Sequence, residues 1–279
     1  MGKRNLPKAT ITTRPGVRSD ISAKALDRWS PDVRAAADDG ATISVLDPIG
    51  QDMWGDGVTA KRISAALRAI GDRPVSVNVN SSGGDYFEGL AIYNVLREHS
   101  APVTVNIVGL AASAASVIAM AADELRIARA GFLMIHNAWV MAAGDRHAFA
   151  EVSEWLAPFD AVAVDIYHAR TGLDRAELAG MLDAETWIGG EKAVSLGFAD
   201  GLLSADAVEM AGDEGAPSQR AEKKFDIMAR KSGLTVSAAR ELLADLKGIK
   251  PGADPQQGKP DAADLENGLK DLLARVKSL

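Results

Sequence analysis

The chain contains no cysteine in 279 residues. That absence removes disulfides, a thiol nucleophile and any cysteine-ligated zinc, and it suits a cytosolic protein. Histidine is scarce as well. His99, His136, His147 and His168 sit in no H-E-x-x-H or comparable spacing, so no metal site is expected. Basic charge is in short supply: 31 Lys and Arg against 38 Asp and Glu give a net charge of -7, which argues against a nucleic-acid role built on phosphate contacts. The basic N-terminus MGKRNLPKATITTRPGVR has no apolar run behind it, so a secretory signal is not read there, and Gly2 lacks the residues of a myristoylation site. No P-loop lysine motif occurs, which argues against ATP hydrolysis by this chain, and no internal repeat is visible. The one uncharged run of membrane-spanning length, Ala101 to Ala122, includes Thr104, Asn106 and Gly109 and reads as buried core.

What remains is a globular composition, 47% hydrophobic and 25% charged, on a chain long enough for one sizeable domain with extensions. Residues 1–40 are polar and read as a loosely packed N-terminal arm, with a helix around Ile21 to Ala37. Ala41 to Leu46 is a strand, followed by a loop with Pro48, Gly50, Gly55 and Gly57. Ile63, Ala66, Leu67 and Ile70 then mark a helix over Thr59 to Ile70. Pro74 to Asn80 alternates as a strand and runs into Ser81-Ser82-Gly83-Gly84, after which Leu90, Ile92, Val95 and Leu96 mark another helix. Val103, Val105 and Ile107 begin a strand that is expected to break at Gly109. Small residues from Ala111 to Ser116 lead into a short apolar helix ending near Ala122, and Ile135-His136-Asn137 closes a further strand.

A long helical stretch follows from Arg146 to Arg170, with a kink or restart expected at Pro158. Leu173 to Leu182 reads as helix, Asp183 to Trp187 as loop, Glu191 to Leu196 as helix and Phe198 to Leu203 as strand-like. Beyond Ser204 the composition shifts. Residues up to 220 form a small-residue acidic linker, Lys223 to Leu246 a charged helical stretch interrupted near Gly233, and Gly248 to Asp261 a Pro/Gly/Gln linker. Leu265, Leu269, Leu272, Leu273 and Val276 mark a last amphipathic helix. The expected organisation is therefore an N-terminal arm over 1–40, a domain over 41–204, and a linker with helical extension over 205–279.

Strands alternating with helices argue for an α/β fold with a mostly parallel sheet, whose functional loops gather at the carboxyl ends of the strands. The Gly83-Gly84 turn and the Ser113 turn both follow strands and should open on the same edge. Ser113, at a strand-to-helix turn flanked by alanines, is sterically open to a substrate carbonyl, as in a nucleophile elbow, although G-x-S-x-G itself is absent. Ser116 is the weaker choice. His136 supplies a possible base, and glycine at 83 and 84 lets backbone N–H groups approach a developing oxyanion, each such donor being worth roughly 10²–10³ in rate.

These motifs resemble those of a known family. NSSGGDYFEGLAIYN looks like the S-P-G-G segment of the Clp protease proteolytic subunit, GLAASAAS resembles its G-x-A-A-S motif, and FLMIHN its M-I-H motif. ETWIGGEKAVSLGFADGLL is similar to the region around that family's acidic triad member. The resemblance spans about residues 42–204, with the motifs in the family's order. It implies the Clp/crotonase fold, an α/β spiral of ββα units with a helical handle after the histidine. It also implies an ATP-independent serine endopeptidase chain, a homo-oligomer (a heptameric ring or double ring), protein substrates, no cofactor, and neither nucleic-acid nor membrane partners. Carried over residue by residue, Ser113 is the nucleophile, His136 the general base and acid, and the N–H groups of Gly84 and Ala114 the oxyanion hole.

Three departures stand out. The family's aspartate aligns with Glu185, with Asp183 two residues earlier as the alternative acid. Ser82 stands where the family usually has proline. A long N-terminal arm replaces short N-terminal loops, which leaves partnership with an unfoldase ATPase open. With the extension after Ser204, these features look more like the Clp-related head-maturation proteases of tailed phages, which implies capsid, scaffold or portal substrates and a host-cytoplasm or prohead location. The competing expectations are a crotonase-type acyl-CoA hydratase or isomerase, which shares a two-amide oxyanion hole, and a catalytically dead Clp-like assembly or scaffold protein.

Overall fold

The computed structural model describes residues 6–9, 18–19, 21–31, 33–35, 41–51, 57–204, 207–210, 216–232 and 234–247. They divide into two units, one within Met1–Gly50 and Gly57–Met210, the other within Gln51–Asp56 and Ala211–Leu279. The first unit contains, in chain order, β1 (Arg18–Ser19), α1 (Ala23–Arg28), β2 (Val33–Ala35), β3 (Thr42–Val45), α2 (Ala60–Ile70), β4 (Val75–Ser81), α3 (Tyr86–Glu98) and β5 (Val103–Ala112). It continues with α4 (Ala114–Ala119), β6 (Glu124–Ile127), β7 (Phe132–Ile135), β8 (Val140–Met141), α5 (Arg146–Thr171), α6 (Arg175–Asp183), β9 (Thr186–Gly189), α7 (Gly190–Ser195), β10 (Gly201–Leu202) and β11 (Val208–Met210).

The architecture is mixed α/β. Five parallel strands lie in the order β10-β6-β5-β4-β3. β5 is the hub. Its first half pairs with β6 through Thr104–Ile107, its second half pairs with β7 through Leu110–Ala112, and β7 in turn pairs antiparallel with β9. Helix caps are sequence-coded. Thr59 Oγ1 accepts from Arg62 N–H to start α2, and Asp85 accepts from Phe87 and Glu88 N–H to start α3. α2 then buries Ile63 and Leu67, one turn apart, in the main hydrophobic core, packing beside α3.

The strand expected to break at Gly109 does not break. β5 runs through it, and the glycine serves a close approach: a Cβ there would stand 2.7 Å from Asn80 Oδ1. That oxygen accepts Leu110 N–H at 3.1 Å, just where the β4–β5 register slips between Val79 and Ser81. The side-chain amide thus fills a gap that the bulge leaves in the ladder. Nor do the described residues before 41 form a loose arm. Ile21, Ala25 and Trp29 are buried, and Trp29 Nε1–H donates to the Asn80 carbonyl at 2.8 Å. Asn80 Nδ2 donates to the carbonyls of Ser30 (2.6 Å) and Val33 (3.0 Å). The helix expected over Ile21 to Ala37 is only six residues long, because the chain turns extended and β2 pairs antiparallel with β11.

α5 passes Pro158 unbroken. The proline forfeits one backbone hydrogen bond, but the faces on either side are held by packing: Phe159 is buried, with its ring 5.0 Å from Trp155 and 5.1 Å from Phe87. Trp187, expected in a loop, lies inside β9, and Glu124–Ile127 adds a strand, β6, that the sequence pattern does not announce. No helix among the described residues is long and apolar enough to cross a membrane. The run from Ala101 to Ala122 is shared between β5 and α4, both buried.

In the second unit, α8 (Ala216–Lys231) and α9 (Val236–Leu246) pack through Phe225, Ala229, Ala239 and Leu243. Thr235 caps α9. The linker expected over Gly248 to Asp261 and the helix expected around Leu265 to Val276 lie outside the described residues, as do Gly55 and Gly233.

Candidate active site

Ser113 is the hinge between β5 and α4. It occupies the N-cap position of α4, where a serine hydroxyl ordinarily accepts a helix N–H, yet it makes no such bond. Its backbone lies at φ +55°, ψ -125°, a region L-residues avoid at a cost of about 1–3 kcal/mol. The turn is pinned by Ser113 N–H donating to the Met134 carbonyl at 2.8 Å, and by the Ser113 carbonyl accepting Ser116 N–H at 2.9 Å. The strain aims the hydroxyl away from its own helix and toward β7, where His136 follows the last strand residue. Ser113 Oγ and His136 Nε2 are 2.6 Å apart. A hydroxyl at that distance can pass its proton to the ring as it attacks an electrophile. Burial holds the His136 pKa below its usual value, opposed by the Glu185 carboxylate, so the ring is favoured in its neutral, proton-accepting form.

Two glycines shape the opposite wall. A Cβ at Gly83 would stand 2.5 Å from the Ala112 carbonyl oxygen and 2.8 Å from Ser113 Cβ, so the glycine turn and the serine turn touch. Ile49 N–H donates to the Gly83 carbonyl (2.9 Å) and Asp85 N–H donates to the Ile49 carbonyl (3.1 Å). This parallel bridge uses the neighbours of Gly84, so the N–H of Gly84 itself points away from Ile49. Gly84 lies at φ +149°, and a Cβ there would sit on the Ile49 carbonyl oxygen. Ala114 is the first residue of α4, whose N–H has no intrahelical partner. Among the described residues, neither the Gly84 nor the Ala114 N–H donates to a backbone acceptor.

The two candidate acids are placed differently. Glu185 follows α6 at φ +49°, and its Coulombic effect reaches His136, although no hydrogen bond joins the two. Its Oε1 is 3.1 Å from Lys24 Nζ, an ion-pair distance without hydrogen-bond geometry, so the oxygen is buried and unbonded. Asp183 is turned elsewhere: its Oδ1 accepts from Asn137 Nδ2 at 2.7 Å, and its charge helps raise the Asp160 pKa, to which burial contributes most. Ser116 is wholly buried. Its Oγ contacts the Ser113 carbonyl at 2.6 Å and the Tyr167 hydroxyl at 2.8 Å. Sequence reading missed Lys24, Asn80 and Tyr167. Only Lys24 left a local trace, as one of two cations, with Arg28, on one face of a short helix.

The Clp protease family profile matches residues 32–206. The chain is similar to the ATP-dependent Clp protease proteolytic subunit of Deinococcus radiodurans, 28% identical over 145 residues, which cover 51% of this chain and 71% of that relative. It is likewise similar to the ATP-dependent Clp protease proteolytic subunit 1 of Chlamydia muridarum, 29% identical over 135 residues, covering 47% and 70%. Among solved structures, a variant of ClpP1 from Listeria monocytogenes superposes with a TM-score of 0.50 at 20% identity, covering 61% of this chain and 95% of the other. That last likeness concerns the fold alone.

Proposed function

This chain belongs to the Clp protease family of serine-type peptidases, and from that premise we propose that it hydrolyses peptide bonds with Ser113 as nucleophile, His136 as base and acid, and Glu185 as the orienting carboxylate. The observation that carries the proposal is the 2.6 Å contact between a backbone-strained serine and a half-buried histidine.

In this reading Ser113 Oγ attacks the scissile carbonyl carbon while its proton moves to His136 Nε2. The carbonyl π electrons move onto oxygen, and the N–H groups of Gly84 and Ala114 receive the resulting oxyanion. When the intermediate collapses, the C–N bond breaks and the amine leaves with the proton from His136. Water, deprotonated by the same ring, then hydrolyses the acyl-enzyme and frees Ser113. Glu185 stabilises the imidazolium that forms between these steps. Asp183, engaged by Asn137, is the alternative acid. Nothing in this sequence of steps consumes nucleotide. The crotonase-type alternative has no use for a serine in contact with a histidine, and a dead scaffold has no use for a strained one.

Within that activity, the proposed role is processing of capsid, scaffold or portal protein during phage head assembly, by a homo-oligomeric ring in the host cytoplasm or prohead. Glu185 in the place of aspartate, Ser82 in the place of proline, and the linker and helical extension over 205–279 support this assignment. The extension would tether the peptidase to its assembly.

The experiment is fluorophosphonate labelling of the purified protein, with the modified peptide mapped by mass spectrometry. Label on Ser113, lost in both Ser113→Ala and His136→Ala, is the expected result. An assembled oligomer that takes up no label would overturn the peptidase reading. Co-expression with candidate head proteins then tests the phage role, which would be refuted if none is cut by an enzyme that labels.

A further inference from the structure

α1 faces the head of β9 with two cations. Lys24 and Arg28, one turn apart, share one face of the helix about 6 Å along its axis. Lys24 Nζ lies 3.1 Å from Glu185 Oε1, and Arg28 Cζ lies 4.1 Å from the centre of the Trp187 ring. The helix carrying them is fixed. Ala25 is fully buried, and Trp29, at its C-terminal end, is hydrogen-bonded to the Asn80 carbonyl in the β4 bulge. Asn80 is in turn bonded to Leu110 of β5, the strand that ends at Ser113. The mount for Lys24 and the mount for the serine are therefore tied to the same residue.

Glu185 needs such a partner. Its backbone is left-handed, its side chain is only 25% exposed, and its buried oxygen accepts no hydrogen bond. Among the described residues, Lys24 is the cation at ion-pair distance from it. We propose that Lys24 is a positioning residue for the acid of the site, fixing the Glu185 carboxylate beside His136 and offsetting part of its charge. This rests on the reading of Glu185 as the triad acid.

Among the described residues, the charged groups around His136 are few. Glu185 acts on it directly, and Lys24 acts on Glu185. Asp183 from α6 is held by Asn137, and Asp160 from α5 accepts from Ala138 N–H at 2.6 Å; these two face each other. A full, unpaired charge on Glu185 would stabilise imidazolium in the resting enzyme, where the ring must be neutral to accept the serine proton. Lys24 moderates that effect and keeps the carboxylate in place for the moment the imidazolium forms.

The test is the pH dependence of the second-order rate of Ser113 labelling by a fluorophosphonate, measured on the full chain. Lys24 is 73% exposed, so its replacement should not disturb folding. Lys24→Met should move the acid limb upward by about half a pH unit, the size expected when one partly solvated charge is removed a few ångström away. Lys24→Arg should restore the wild-type profile. In a Glu185→Gln background, Lys24→Met should produce no further shift. The proposal is overturned by an unmoved limb in Lys24→Met, or by a shift of equal size in the Gln background, with a labelled wild type in either case. Absence of label on wild-type Ser113 would overturn the peptidase reading, and this one with it.

Discussion

Ser116 offers a sharp test of how the serine turn is built. Its Oγ touches an acceptor that cannot donate, the Ser113 carbonyl, and a hydroxyl that can, Tyr167. With a single proton to give, Ser116 must donate it to the carbonyl, and Tyr167 must then donate to Ser116. Ser116→Ala removes the middle of this chain. The Ser113 carbonyl keeps its bonds from Ser116 and Val117 N–H, which are backbone groups and survive. The orphan is therefore the Tyr167 hydroxyl, buried at 1% exposure, at a cost of about 1–3 kcal/mol. Tyr167→Phe leaves no orphan, because Ser116 still donates to the carbonyl, and should cost about 1 kcal/mol or less. The double variant has neither hydroxyl and should cost little more than Tyr167→Phe alone. The predicted coupling is about 1–2 kcal/mol, read from urea denaturation of the four proteins as a double-mutant cycle. Fluorophosphonate labelling of Ser116→Ala should stay within a few-fold of wild type. Additive losses in the cycle would refute the proton assignment, and abolished labelling in a folded Ser116→Ala would refute the choice of Ser113.

Glu185→Gln should lower peptide cleavage by about 10²–10⁴ through loss of the tautomer and of imidazolium stabilisation, whereas Asp183→Asn should stay within a few-fold; the reverse ranking of cleavage rates would move the acid to Asp183. Burial depresses the His136 pKa, so its acid limb should fall below pH 6.5, and the labelling rate should be on its plateau at pH 7; a midpoint above 6.5 would contradict this. The same depression means that the unfolded chain binds a proton at His136 that the folded chain refuses, so this group's contribution to stability is full above pH 6.5 and declines as the pH falls toward the folded-state value. Arg170 has a fully buried side chain that donates to the carbonyls of Phe198 (3.0 Å) and Ala122 (3.1 Å) and to Asp200 Oδ2 (2.5 Å). Arg170→Met should cost about 3–5 kcal/mol, and a thermal midpoint close to wild type would show that the pair is not needed.

The parts of the site that sequence made legible are those with local periodicity. Val75, Val77 and Val79, then Val103, Val105 and Ile107, alternate cleanly, and the turns that follow them are marked by Gly83-Gly84 and by the alanines around Ser113. What stayed hidden depends on contacts distant in sequence. Gly109 looks like a strand breaker locally, and only the approach of Asn80 explains it. β6 and β9 are four residues each and pair with the edges that β5 and β7 offer them, edges built from residues distant in sequence. The polar residues before 41 gave no sign that Trp29 would be drawn into a bulge about fifty positions later. The environment of Glu185 is set by a helix far upstream, and no spacing rule connects the two.

The stitching around Asn80 bears on how this fold can be divided. The family profile spans residues 32–206, yet α1 with its Lys24, and Trp29 after it, precede that span, and β11, the partner of β2, follows it. A fragment trimmed to the profile would lose the indole that occupies the bulge and leave β2 with an open edge. The catalytic cassette of this branch is therefore not a portable module. Transplanting it into another peptidase would mean carrying its flanks along, and an insertion at either border would here cut through a seam.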